Sequence, residues 1–217
     1  MDINKILYRT VRFADNYSFP FRNKLFEILT KQNYDVIFDE DPDVFWDEHS
    51  AILNPVIDKL DKNSIILDLW CWAGKDPLLL AKKWWYVDAV ELSQKGLNIL
   101  QSKIDESIKN KIVLHPCSIR NYLKRNTKQY DLILCKNSLQ YDLDWKSRIR
   151  EMKNSTLSWW YNALAWPLHN YMPHWRWLDK QKILDLYRDW EIILMKERNN
   201  RTWNYDGPRL YFIAQKK

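Results

Sequence analysis

Two carboxylates stand out by position. Asp68 lies in the short apolar run Ile65-Ile66-Leu67-Asp68-Leu69, and Glu91 closes a second run, Tyr86-Val87-Asp88-Ala89-Val90-Glu91. An acid at the end of a second strand, about twenty residues past the first, can accept hydrogen bonds from two neighbouring sugar hydroxyls. A solvated strand-end acid is the plain alternative. The other reactive side chains form no constellation. His49, His115, His169 and His174 lack metal-ligand spacing, and Cys71, Cys117 and Cys135 contain no C-x-x-C pair, so no metal site is expected. Met152, Met172 and Met195 are ordinary core fillers. No nucleophile-and-base arrangement emerges, and no catalytic residue is assigned.

The turn between these two acids is abnormal. Glycine numbers 3 and tryptophan 13 in 217 residues, a deficit and an excess that together look normal. A folded chain needs glycine wherever φ is positive or backbones approach closely. Trp70 and Trp72 occupy the tight turn after the first strand, Trp84 follows a helix ending in Lys82-Lys83, and Trp159-Trp160 precede a buried strand. These are places where glycine is ordinary. Both anomalies are explained if the gene's UGA triplets specify glycine and have been written as tryptophan. Genuine enrichment for stacking on bases, sugars or lipid headgroups predicts tryptophan on exposed faces instead of in turns.

The elements that hold these residues alternate. Runs at 65–69, 86–91, 112–114, 131–135 and 161–165 read as strands, with helical spacing at 77–83, 93–108 and 145–152 between them. Helical spacing also covers His49 to Leu60 and Lys180 to Tyr187. Glu191 to Met195 and Leu210 to Ala214 read as two last strands about the turn Asp206-Gly207-Pro208. Such alternation predicts a doubly wound α/β sheet with ligands beyond the carboxyl ends of its strands. Residues 1–45 read as an N-terminal extension of unclear role, with a short helix at Asn23–Thr30 and an acidic turn at Asp39–Asp43; residues 46–217 form the domain.

With glycine restored, Leu67-Asp68-Leu69-Trp70-Cys71-Trp72-Ala73-Gly74 becomes LDLGCGAG, which resembles motif I of the class I S-adenosylmethionine-dependent methyltransferases. The resemblance extends from about residue 48 to the end and is nearest the tellurite-resistance branch. It rests also on His49-Ser50, Tyr86-Val87-Asp88-Ala89, Trp159-Trp160-Tyr161-Asn162, Tyr187-Arg188-Asp189-Trp190-Glu191 and the final Ile213-Ala214-Gln215-Lys216-Lys217. Trp190 matches a tryptophan frequent in that family.

The resemblance implies a mostly parallel seven-stranded sheet ending in an antiparallel hairpin, with S-adenosylmethionine as methyl donor and S-adenosylhomocysteine as product. It assigns cofactor contacts to Asp68, Leu69, Trp70, Cys71, Trp72, Gly74, Glu91, Leu92, Ser118, Ile119, Cys135 and Lys136. Asp68 would orient the loop or the cofactor's ammonium group, and Glu91 would bind the ribose. Ser118 stands where the family often has aspartate beside the adenine, and a surface turn accounts for it equally well. For Lys136, a solvated lysine is the commoner outcome. The implied acceptor is a small molecule, such as a tellurium or selenium oxyanion or a thiol, with Arg176, Arg198 and Arg201 as cationic candidates by position.

Composition narrows the setting. Hydrophobic residues at 46% and charged residues at 29% argue against disorder and against a membrane bundle. The net charge of +6 raises the prospect of RNA or another polyanion as partner, yet the lysines are scattered without a block of like charge. RNA or protein as methyl acceptor, and a non-catalytic tryptophan-rich module for nucleic acid or membrane surfaces, are the alternatives. Unpaired thiols and the absence of a signal-like start fit a cytoplasmic protein.

Overall fold

A computed structural model describes residues 19–43, 52–168, 178–202 and 205–217. Seven strands form one sheet: β1 (Ile65–Leu69), β2 (Tyr86–Glu91), β3 (Ile112–Pro116), β4 (Tyr130–Lys136), β5 (Thr156–Pro167), β6 (Glu191–Thr202) and β7 (Tyr205–Gln215). Their order is β3-β2-β1-β4-β5-β7-β6. Pairings from β3 through β5 are parallel, whereas β7 runs antiparallel to both β5 and β6. The doubly wound architecture and its closing hairpin are as expected. The order reverses between β1 and β4, which is where such sheets open a crevice.

The helices are α1 (Phe19–Glu40), α2 (Lys75–Lys82), α3 (Gln94–Lys103), α4 (Ile119–Arg125), α5 (Trp145–Asn154) and α6 (Lys180–Leu186). Leu67, Leu69, Ile133, Cys135 and Leu164 face one side of the sheet, packed with α1, α4, α5 and α6 through Tyr34, Phe38, Ile119, Ile149 and Ile183. Ile66, Leu132, Leu134 and Ala163 face the other, against Ile52, Leu53, Val56 and Leu80. The central strands are thus buried on both faces, which is why they read as unbroken apolar runs.

Four expectations need correction. The stretch before β1 is not a helix: its described part is a series of turns ending in a 3-10 segment at Ile57–Lys59. Pro55 has no N–H to donate to a continuing helix, so only a single turn closes, the Val56 and Ile57 N–H groups both donating to the Leu53 carbonyl at 2.9 and 2.8 Å, while Ile52, Leu53 and Val56 still reach the core. The N-terminal helix is longer than expected and takes in Asp39 and Glu40, leaving the turn of the acidic segment at residues 42–43; the Asp39–Lys95 ion pair and the Ser93 hydroxyl, which donates to Asp35 at 2.5 Å, tie it to α3 and its cap. A helix forms at Ile119–Arg125 where none was expected. Asp206-Gly207-Pro208 belongs to β7 and not to the turn before it.

Candidate functional site

The loop after β1 is built from alternating left-handed residues: Trp70 at φ 79°, Trp72 at 52° and Gly74 at 91°. The Trp70 and Cys71 N–H groups both donate to the Val90 carbonyl, at 2.8 and 3.0 Å, which pins the loop across the end of β2. Gly74 accepts the Leu78 N–H at 3.0 Å and starts α2. The two nearby glycines are sterically required. A Cβ on Gly74 would lie 2.2 Å from Leu100 Cδ1, and one on Gly96 would lie 2.9 Å from Phe38 and 3.2 Å from the Trp72 carbonyl oxygen.

Glu91, 1% exposed, accepts the Trp72 N–H at 3.0 Å on one oxygen and the Ser93 N–H at 2.8 Å on the other. Burial outweighs these bonds and pushes its carboxyl up to about 7. Asp68 is equally buried, with Oδ2 lacking a hydrogen-bond partner; burial first, then the nearby Asp76, raises it well above the usual range. The β4-end Lys136 is not solvated. It forms a buried ion pair with Asp76 of the first turn of α2 and lies 5.8 Å from the centre of the Trp72 ring. Asp76 escaped the sequence reading because an acid in a first helical turn is unremarkable.

Ser118 caps α4, accepting the Asn121 N–H at 3.3 Å. It lines one pocket with Trp70, Leu92 and Ile119, four of the expected contacts, together with Glu27 and Thr30 of α1 and Ser138 and Tyr141 after β4. Cys135 meets the Ser138 hydroxyl at 3.0 Å, and burial pushes its thiol up to about 12. Cys71 is also buried and raised, by burial and by Asp68, so neither thiol is primed as a nucleophile.

All twelve expected contacts therefore lie at the carboxyl ends of β1 to β4, in the loops directly beyond them or, for Ile119, at the first residue of α4. Missed were Asp76, the α1 residues Glu27 and Thr30, and the buried Arg209 of β7, opposite Pro167 at the end of β5. A helical recurrence of Phe26, Thr30, Tyr34 and Phe38 was the available signal for α1. Arg198 pairs in register with Arg209 and is exposed; Arg176, His169 and His174 lie outside the described residues, as does the side chain of Arg201. Among the described residues no group of histidine, cysteine and carboxylate side chains could hold a metal, and no helix is long and apolar enough to cross a membrane.

The indoles decide what fits. Trp70 stacks on Tyr141 with ring centres 5.3 Å apart and meets Tyr34 edge-on at 5.2 Å, its N–H buried without an acceptor. The pocket it leaves measures about 40 Å³. Ligand sites run to roughly 300–1,000 Å³. Trp70 lines this pocket, and Trp72 is buried beside Lys136.

No family model and no curated protein matches the sequence. Solved structures do match the fold. The N-methyltransferase NodS from Bradyrhizobium japonicum WM9, in complex with S-adenosylhomocysteine, superposes with a TM-score of 0.70 at 13% identity, over 86% of this chain and 98% of that one. TehB from Haemophilus influenzae gives 0.68 at 17% identity, over 85% and 67%. The magnesium protoporphyrin IX methyltransferase ChlM from Synechocystis PCC 6803, with bound S-adenosylmethionine, gives 0.60 at 14% identity, over 100% and 98%. The chain shares the Rossmann-like fold of S-adenosylmethionine-dependent methyltransferases.

Proposed function

We propose that the protein transfers a methyl group from S-adenosylmethionine to a small acceptor. The observation that carries this reading is the buried Glu91 at the end of β2, bonded to the main chain of the loop after β1; an acid at that position would accept hydrogen bonds from two ribose hydroxyls. Asp68, whose Oδ2 lacks a hydrogen-bond partner, would meet the cofactor's ammonium group. Leu92, Ser118 and Ile119 would flank the adenine, and Leu69, Cys71, Gly74, Cys135 and Lys136 would line the remaining crevice. Trp70 and Trp72 do not fit this cofactor, so the chain with tryptophan at both positions is expected to bind it weakly or not at all.

The acceptor side favours a small anion, a tellurium or selenium oxyanion or a thiolate. Arg209 is buried beside the end of β5, and Arg198 stands directly opposite it across the β6–β7 pair. The test is calorimetry of the Trp70→Gly/Trp72→Gly chain with S-adenosylmethionine, followed by labelled-methyl transfer to a panel of oxyanions and thiols. Binding at micromolar concentration with transfer to one class supports the reading. No binding by that variant overturns it.

A further inference from the structure

We infer that the protein made in its own cell carries glycine at residues 70, 72, 84 and 159, the triplet written as tryptophan there being decoded as glycine. Among the described non-glycine residues, positive φ occurs at Asn63, Asn137 and these four tryptophans. Asparagine enters the left-handed region readily, while a bulky side chain there is an outlier. Four tryptophans in that region in one chain need a common cause.

Residue 84 makes the case away from the crevice. Its N–H donates to the Ala81 carbonyl at 3.0 Å, and the Trp85 N–H reaches back to Leu80 at 3.4 Å. That pair of bonds is the Schellman ending of a helix, whose left-handed residue is usually glycine. Leu80 and Trp85 complete it by packing in one cluster. The side chain of residue 84 itself is 67% exposed, and that of residue 159, at φ 71° in the bulge between β4 and β5, is 70% exposed. Neither indole gains enough burial to offset its backbone strain. At residues 70 and 72 the indoles fill the crevice that the loop's left-handed turns create.

Other tryptophans behave as tryptophan should. Trp85 is buried and its indole N–H donates to the Asp61 carbonyl at 2.9 Å. Trp190 is buried edge-on to Tyr187, with the Lys153 ammonium 5.4 Å from its ring centre. Trp160 lacks a positive φ, so its backbone does not ask for glycine, contrary to the expectation for the Trp159-Trp160 pair.

The adjacent residues 84 and 85 give an internal control. Cleavage after Lys83 and Lys95 of protein isolated from its source organism releases one peptide carrying both. Mass spectrometry is expected to find glycine at 84 and tryptophan at 85, and glycine at 70, 72 and 159 in their peptides. Tryptophan at 84, or UGG codons at the four positions, overturns the inference. Thermal melts of the chain as written provide a second test. Trp84→Gly and Trp159→Gly are each expected to raise the melting temperature by about 1–4 °C, whereas Trp85→Gly lowers it by about 6 °C or more. A fall with both Trp84→Gly and Trp159→Gly counts against the inference. Glycine at these positions without cofactor binding would leave the inference standing and remove the methyl-transfer reading.

Discussion

Replacing Glu91 by glutamine separates the charge of this residue from its shape. In the folded chain burial holds the carboxyl at about 7, against 4.5 when exposed. The folded state therefore keeps a proton that the unfolded state releases. Stability is fully present below pH 4.5 and is lost as pH rises through 7, the direction opposite to that of a salt-bridged acid. At about 1.4 kcal/mol per pH unit, the loss attributable to Glu91 is about 3 kcal/mol, or roughly 6–12 °C in melting temperature for a chain of this length. Glutamine also turns one N–H donor of its own toward Trp72 or Ser93, a cost of about 1–3 kcal/mol that does not vary with pH. Urea unfolding of the parent and of Glu91→Gln from pH 4.5 to 7.5 should thus show a difference that moves toward the variant as pH rises. A difference that stays flat across that range refutes the burial argument. Asp68, raised in the same direction, owes part of that rise to the Glu91 charge, so its contribution to the pH dependence is also smaller in the variant.

Three further substitutions test the frame. Asp88 of β2 is held at about 2: burial acts to raise it, but hydrogen bonds from His115 at 2.8 Å, Lys128 at 2.8 Å and Tyr130 at 2.8 Å together prevail. Its depressed carboxyl contributes stability that is lost as pH falls from about 4 toward 2, and an acid-unfolding curve of Asp88→Asn should lack that loss. Lys136→Met strands the buried Asp76 and should cost about 3–5 kcal/mol in denaturant unfolding, while Lys136→Met with Asp76→Asn together should cost far less. Equal costs for the single and double variants would mean that the pair is not coupled.

The parts of the fold legible in the sequence are those where one physical demand dominates. The central strands must be apolar on both faces, so Ile65–Leu69 and Tyr130–Lys136 announce themselves. Left-handed turns require glycine, so tryptophan at 70, 72 and 84 was conspicuous. Legibility failed where two signals compete. Helical spacing before β1 coexists with Pro55, and the proline wins. The acids at the end of α1 oppose the helix dipole and suggested a turn; their partner Lys95 is distant in sequence and could not be foreseen. Glu91 declared itself by position, but the near-neutral carboxyl depends on Ser93, Trp72 and the packing around them, which only the assembled fold supplies.

Charge at the crevice leads to one more expectation. Asp68, Asp76 and Glu91 are all buried around the loop after β1, where Lys136 pairs with Asp76. Burial keeps protons on carboxyls, and a cationic ligand favours their loss. A positively charged donor entering here must therefore expel protons, chiefly from Glu91 and Asp68. Carboxyls that burial holds protonated give up protons to a cation, so binding to the Trp70→Gly/Trp72→Gly chain should release protons at mildly acidic pH and fewer as pH rises. Calorimetry in buffers of different ionisation enthalpy counts that release directly. Glu91→Gln should reduce it, and proton uptake on binding, or a release that does not depend on pH, would show that the acids do not face the ligand's charge.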